Sequence, residues 1–341
     1  MSGGIAQLVA IGAQDAHLVG QPEVSFFRSN YKRHTNFAQT VERQTIQGNP
    51  SANGMSTVRF ERKGDMLGYV YLADRSADHV NWDTAVDKVE LLIGGQVIDT
   101  QDYDFSAKLA PTVMDQTAAK SSYVAGQGTF YPLRFSFCEN AQSALPLVAL
   151  QYHDVEVRIS WGTIDGATSR WECFSQFIHL DTDERTALSS TPQNMIITQT
   201  QKAIASSSKI QELSFNHPMK YLVAKTTGSS DLTSAGNKIK LQINGTDVTD
   251  FKDADPHFTA IPTYYHTQSS VSAANGHNVA TLLVPFCIDT SKLQPTGSLN
   301  FSRLDSARIV SDTQNNGADI YGVNYNILRI ENGMGGLMYS N

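Results

Sequence analysis

The stretch ELLIGGQVIDT at Glu90–Thr100 returns about 150 residues later as KLQINGTDVTD at Lys240–Asp250. In the first, an apolar run enters a tight Gly-Gly turn; the second has the same shape. Three more pairs recur in the same order at nearly the same spacing. KGDMLGYV at Lys63–Val70 matches NHPMKYLV at Asn216–Val223, SFC at Ser136–Cys138 matches PFC at Pro285–Cys287, and VRI at Val157–Ile159 matches ARI at Ala307–Ile309. A repeat of this length is a whole domain, not a solenoid unit. The chain therefore reads as two tandem copies of one domain, and its 341 residues are enough for two hydrophobic cores.

Each copy reads as β structure. Apolar residues alternate in YPLRFSF (Leu133, Phe135, Phe137), DVEVRISW (Val155, Val157, Ile159, Trp161), KIKLQING (Ile239, Leu241, Ile243) and YGVNYNI (Tyr321, Val323, Tyr325, Ile327). Period two with one apolar face marks half-buried strands of antiparallel sheets. Gly, Asn, Asp and Pro punctuate the runs, as hairpin and sandwich loops require. The best helical signal is DTDERTALSS, with Asp181 as cap and Glu184 closing a capping box, followed by the polar connector QTQKAIASSSK. About eight strands per copy with long crossovers suggest a jelly roll, two sheets facing over one core. The expected fold is all-β, two tandem eight-stranded antiparallel jelly rolls with few short helices. The expected divisions are an N-terminal arm at 1–22, a first roll at 23–185, a connector at 186–210 and a second roll at 211–341.

Composition narrows the function. Charged residues are 17%, below the usual ~25%, and the net charge is -7 with no Lys/Arg run. A duplex binder needs a clustered basic footprint, so direct nucleic-acid binding is not expected. The segment SFFRSNYKRHTNF at 25–37 interleaves aromatics and cations, but the acidic chain argues against single-stranded nucleic acid as well. The opening MSGGIAQLVAIGAQ is too short and too Gly-broken to span a bilayer and lacks the basic start of a secretory signal; it reads as an arm. Three cysteines without a CxxC make no disulfide framework, which points to a reducing compartment. Cys138 and Cys287 each follow a Phe at the end of an apolar strand and read as core thiols in equivalent places.

Catalytic signals are weak. His153-Asp154 with a distant Ser is a triad only if geometry makes it one, and His153 reads as a strand residue at a sheet edge. No HxH, HExxH or Cys/His cluster has metal-ligand spacing. Carboxylates such as Asp181 and Glu184 would need to face each other across a cleft to hydrolyse a glycoside. No catalytic, cofactor-binding or metal-binding residue is assigned, and no cofactor is expected. Asn244-Gly245-Thr246 and Asn300-Phe301-Ser302 are glycosylation sequons, with Asn300 expected in a strand. A carbohydrate-binding or glycan-hydrolysing β-sandwich is the alternative reading from a different class.

The sequence resembles the double jelly-roll major capsid proteins of nucleocytoplasmic large DNA viruses. The resemblance rests on QLVAIGAQDAHLVGQPEVSFFRSNYKRHTNFA (7–38), ELLIGGQVID (90–99), LPLVALQYHDVEVRI (145–159), FIHLDTDER (177–185), LSFNHPMKYLV (213–223), LQPTGSLNFSRLD (293–305) and YGVNYNILRIENGMGGLMYSN (321–341). These run from one end to the other in family order. The chain departs from the pattern in being shorter than most relatives and in HPMKYLVAK, where an aromatic often follows the Leu-Val. The resemblance implies a structural virion protein that is not an enzyme. It implies homotrimeric, pseudo-hexagonal capsomers tiling an icosahedral capsid and assembled in host cytoplasm. Its expected partners are a homotrimer of itself, neighbouring capsomers, and minor capsid and penton proteins, with an internal membrane nearby. The arm Met1–Gln21 would face the particle interior, Phe26 and Phe27 would pack, and Arg28, Lys32 and Arg33 would face the base or a partner. Outer loops are expected within 101–130 and 253–282, and the last glycines are expected to turn the backbone tightly against a roll.

Overall fold

The structure is a computed structural model describing residues 12–29, 31–75, 80–114, 127–128, 130–164, 171–225, 232–268, 281–313 and 317–339. Two units separate, residues 1–36 and residues 37–341. In the first, the helix Asp15–Val19 buries none of its side chains.

In the second unit the first roll begins at β1 (Phe37–Gln44), β2 (Ile46–Gln47), β3 (Met55–Arg59) and β4 (Met66–Asp74). It continues through β5 (Val80–Asn81), β6 (Val86–Ile93), β7 (Gln96–Asp102), β8 (Gln127–Gly128) and β9 (Phe130–Pro132). It ends with β10 (Leu145–Pro146), β11 (Val155–Trp161) and β12 (Trp171–Leu180). The second roll comprises β13 (Gln193–Ala203), β14 (Ile210–Glu212), β15 (Pro218–Lys225), β16 (Lys238–Ile243), β17 (Thr246–Asp247) and β18 (Lys252–Asp253). Then come β19 (Thr281–Pro285), β20 (Leu299–Asn300), β21 (Ala307–Ser311), β22 (Ile320–Glu331) and β23 (Met334–Leu337).

The two rolls have one connectivity. One first-roll sheet runs β1-β12-β4, with β9 and β10 both on β4; its counterpart runs β13-β22-β15, with β19 and β20 both on β15. The facing sheets run β3-β11-β6-β7 and β14-β21-β16-β17. Corresponding strands also follow one another in the same chain order. With β9 and β10 taken as one interrupted strand, and β19 and β20 likewise, each roll is an eight-position jelly roll. β2, β5, β8, β18 and β23 are additions to that plan. The ladder between β12 and β4 shifts between Leu67 and Val70, and the ladder between β22 and β15 shifts between Met219 and Tyr221. Both rolls thus carry a bulge at the same place.

The repeated turn is equivalent in both copies. Ile93 faces Gln96 across Gly94-Gly95, and Ile243 faces Thr246 across Asn244-Gly245. All four turn residues have positive φ, between 50° and 81°, the type I′ geometry that matches strand twist. Measured from these turns, Ala307 opposite Ile243 takes the place of Val155 opposite Ile93. The VRI and ARI triplets therefore lie on equivalent strands but two residues apart in register, a shift that preserves the face.

Several expectations change. The strand through Leu133, Phe135 and Phe137 stops at Pro132, and Ser136–Glu139 is a helical turn. All three apolar residues are still buried, because the backbone turns with Cys138 N–H donating to Phe135 O at 2.8 Å. β22 is not half-buried; nearly every residue from Ile320 to Leu328 is covered on both faces. Residues 186–210 are not merely a connector, since they hold β13, whose Ile197 reaches the first roll's core. Its alternating Gln and Thr disguised it as a linker. Before it, Asp181 caps the helix Thr182–Ser190, accepting from Thr182 N–H. At the other end, Asn332 and Gly333 turn with positive φ into β23, which pairs with β22. A side chain at Gly335 would collide with Leu150.

Candidate assembly surfaces

The first roll's core is built on Trp82, Tyr131, Trp161 and Trp171 and the inward residues of both its sheets, but it also takes Ile197, Leu328 and Ile330 from the second roll. The second roll's core holds Met219, Leu222, Leu241, Leu282, Ile309 and Ile320. A third cluster lies between the rolls. Phe105, Leu109 and Val113 of the first roll join Tyr221, Val223, Leu283, Tyr321 and Val323 from the outer face of the second roll's sheet. The three first-roll residues sit in a π-helix, Asp104–Leu109, and a following helical turn, Ala110–Val113. Their i, i+4, i+8 spacing is a helical stripe. This segment lies within the span 101–130 expected as an outer loop; its described part is buried because it covers a sheet face.

Charges fasten the seam. Asp102, at the end of β7, accepts from Lys202 Nζ at 2.8 Å and from Tyr321 Oη–H at 2.7 Å. Lys202 also holds Asp319 at 2.7 Å, and these carboxylates push its pKa up although burial opposes them. Burial and Asp102 both raise the Tyr321 phenol. Lys225 lies 3.6 Å from Asp104. Nearby, Asp99 accepts from Thr200 N–H of β13 at 2.8 Å, Thr100 N–H at 3.0 Å and the Gln101 amide at 2.8 Å. Burial nonetheless raises its pKa to about 7 against these hydrogen bonds. The Asn326 amide donates to Gln199 Oε1 at 2.7 Å, and the Gln199 amide donates to Ile98 O. Apolar residues supply area, while the polar pairs fix the register of one roll on the other.

The residues weighed for chemistry do other work. His153 is not in a strand; its Nδ1 lies 2.8 Å from Gly335 O and 3.2 Å from Gly335 N, and its ring packs on Gly94. Asp154 pairs with Arg59 at 2.6 Å, so the two serve the hairpin ends. Among the described residues no group of three or more His, Cys, Asp and Glu could hold a metal ion. No described helix is long and apolar enough to cross a membrane. The three cysteines are free thiols, and burial pushes Cys138 and Cys173 up to about 12. Asn244 Oδ1 accepts from Asp305 and Ser306 N–H, and Asn300 lies in β20, accepting from Ser302 N–H. Phe26 and Phe27 do not pack in the single chain, being 92% and 98% exposed. Missed by sequence reasoning were β13 and the stripe Phe105–Leu109–Val113; the stripe's helical spacing was the available signal.

Two sandwiches of one connectivity, joined in one body, define a double jelly-roll protein. The model "Major capsid protein N-terminus" matches residues 25–214, and "Large eukaryotic DNA virus major capsid protein" matches 184–336. The major capsid protein of Pyramimonas orientalis virus is 32% identical over 404 aligned positions covering all of both chains, and that of Paramecium bursaria Chlorella virus 1 is 28% identical over 445 with the same coverage. Among solved structures, the PBCV-1 capsid protein matches with a TM-score of 0.75 at 23% identity, covering 93% of this chain and 100% of that one. The Faustovirus major capsid protein matches at 0.65 and 10% identity, covering 94% of each. The chain belongs to the major capsid protein family of large eukaryotic DNA viruses, and its role is structural, in the virion.

Proposed function

We propose that this chain self-assembles into homotrimeric capsomers of pseudo-hexagonal outline that tile the facets of an icosahedral capsid. The observation that carries this is the rigidly joined pair of rolls with one connectivity. Three such chains around a threefold axis place six similar rolls in a ring, and a near-hexagonal tile packs a flat facet from one gene product. The contacts between chains belong in the obligate class, on the order of 2,000–5,000 Å². Neighbouring capsomers surround the trimer, and minor capsid and penton proteins complete the shell. The arm, 1–22, lies at the base toward the interior and any internal membrane, with Phe26 and Phe27 covered by a partner. Assembly takes place in host cytoplasm. The protein catalyses no reaction and does not bind nucleic acid directly. Light scattering on the purified chain tests this. A mass near three times 37.3 kDa is expected; a stable monomer with glycan affinity would sink the proposal in favour of a carbohydrate-binding sandwich.

A further inference from the structure

Within the chain, the contact between rolls has two unlike sides. The first roll offers a helical segment preceded by an aspartate, and the second offers the outer face of a sheet edged by a lysine. Each side has a counterpart on the other roll. Asp102 faces Lys88 across its hairpin, and Asp253 faces Lys238. Each aspartate leads into helix, Asp104–Leu109 after the first and Ala254–His257 then Ala260–His266 after the second. On the sheets, the row Lys202–Tyr321–Val223–Leu283 in the second roll corresponds to Arg43–Phe174–Tyr71–Pro132 in the first.

The counterparts differ in what covers them. Tyr321, Val223 and Leu283 are at most 2% exposed beneath the first roll's helical segment. In the first roll, Phe174 and Tyr71 stack at 5.4 Å, Phe130 meets Tyr71 edge-on at 5.7 Å, and Tyr69 is 43% exposed. On the helix Ala260–His266, Tyr264 and Tyr265 are 80% and 73% exposed. Ile288, held beside it by His266 Nδ1–H donating to Ile288 O at 3.0 Å, is 75% exposed. One roll thus shows an aromatic sheet and the other an aromatic helix. The charges are complementary in the same sense: Asp102 meets Lys202 within the chain, while Asp253 is exposed and Arg43 is 59% exposed beside Glu172, 3.5 Å away.

We infer that the contact is made again between copies: the helix Ala260–His266 of one chain seats on the first roll's outer sheet face of the next, with Asp253 against Arg43. This rests on the homotrimer reading and names its interface. Because the two sides are unlike, the contact is heterologous and runs head to tail. Alternating within and between three chains, it closes a ring of six rolls.

The test is charge reversal on the full-length chain, with mass read by light scattering and folding by thermal melting. Wild type is expected as a trimer. Asp253→Arg and Arg43→Asp each weaken association at least tenfold while melting as folded monomers, since both sites are on the surface. The double variant, with the pair reversed across every joint, regains the trimer. A second variant, Tyr71→Cys with Tyr264→Cys, forms disulfide-linked species of two and three chains on a non-reducing gel. Trimeric single variants together with absence of the cross-link would overturn the interface but leave the trimer standing. A monomeric wild type would overturn both.

Discussion

Gly94 and Gly95 occupy one turn but differ in what a side chain would meet. At Gly94 φ is +57° and a Cβ would lie 2.4 Å from His153 Nδ1; at Gly95 φ is +81° with nothing within 4 Å. Asn tolerates the left-handed region; Asn244 stands at the place of Gly94 in the second roll and Gly245 at that of Gly95, so the open space beside Gly95 decides its case. Gly95→Asn should therefore cost under about 1 kcal/mol, whereas Gly94→Asn should cost roughly 1–3 kcal/mol by overpacking against the imidazole, both read by urea unfolding. Asp99 makes a different prediction. Its folded pKa, raised by burial to about 7, exceeds its unfolded value near 3.8. The folded protein therefore binds the extra proton. The stabilisation this gives is complete below about 3.8 and is lost as pH rises through about 7. Unfolding midpoints should fall between pH 5 and pH 8, and Asp99→Asn should flatten that slope; an unchanged slope would show that other groups set it.

Strands and turns were readable where the pattern is local. Val155–Trp161 alternates without a fault in sequence and in burial, and the Gly-Gly and Asn-Gly turns announce their hairpins. Elements that serve the joint between rolls were not. β13 looks like a polar linker although the Gln199 side chain and the Thr200 N–H bond to the first roll and Ile197 enters its core. Asp104–Val113 looks like an outer loop because its apolar stripe has no mate nearby in sequence. β22 looks half-exposed because the cover for its second face lies some 200 residues upstream. The proposed assembly surfaces were hidden for the same reason, as the correspondence of Asp253 and Arg43 with Asp102 and Lys202 emerges only when two ladders are compared. Phe105, fully buried in the seam, provides a check. Phe105→Ala should cost about 3–5 kcal/mol, seen as a lower denaturation midpoint with the rolls' far ends unperturbed in amide exchange.

The whole molecule behaves as one body from Phe37 onward. The two rolls share residues in one core and a third cluster between them, so neither is a closed thermodynamic unit. Calorimetry should give a single unfolding transition for the isolated chain; two resolved transitions would mean that the seam couples the rolls weakly. The Pyramimonas orientalis virus relative aligns over 404 positions against 341 residues here, so many aligned positions have no counterpart in this chain. Length varies most easily in surface connections, away from the joined faces.

Ile197, Leu328 and Ile330 complete the first roll's interior although they come from the second half of the chain. During translation the N-terminal sandwich is therefore expected to keep part of its interior uncovered until the ribosome has delivered nearly the last strand. The order of synthesis is therefore expected to oppose completion of this core. A nascent chain ending at residue 319 would be expected to bind a hydrophobic dye or a chaperone, and to release it only when β22 arrives.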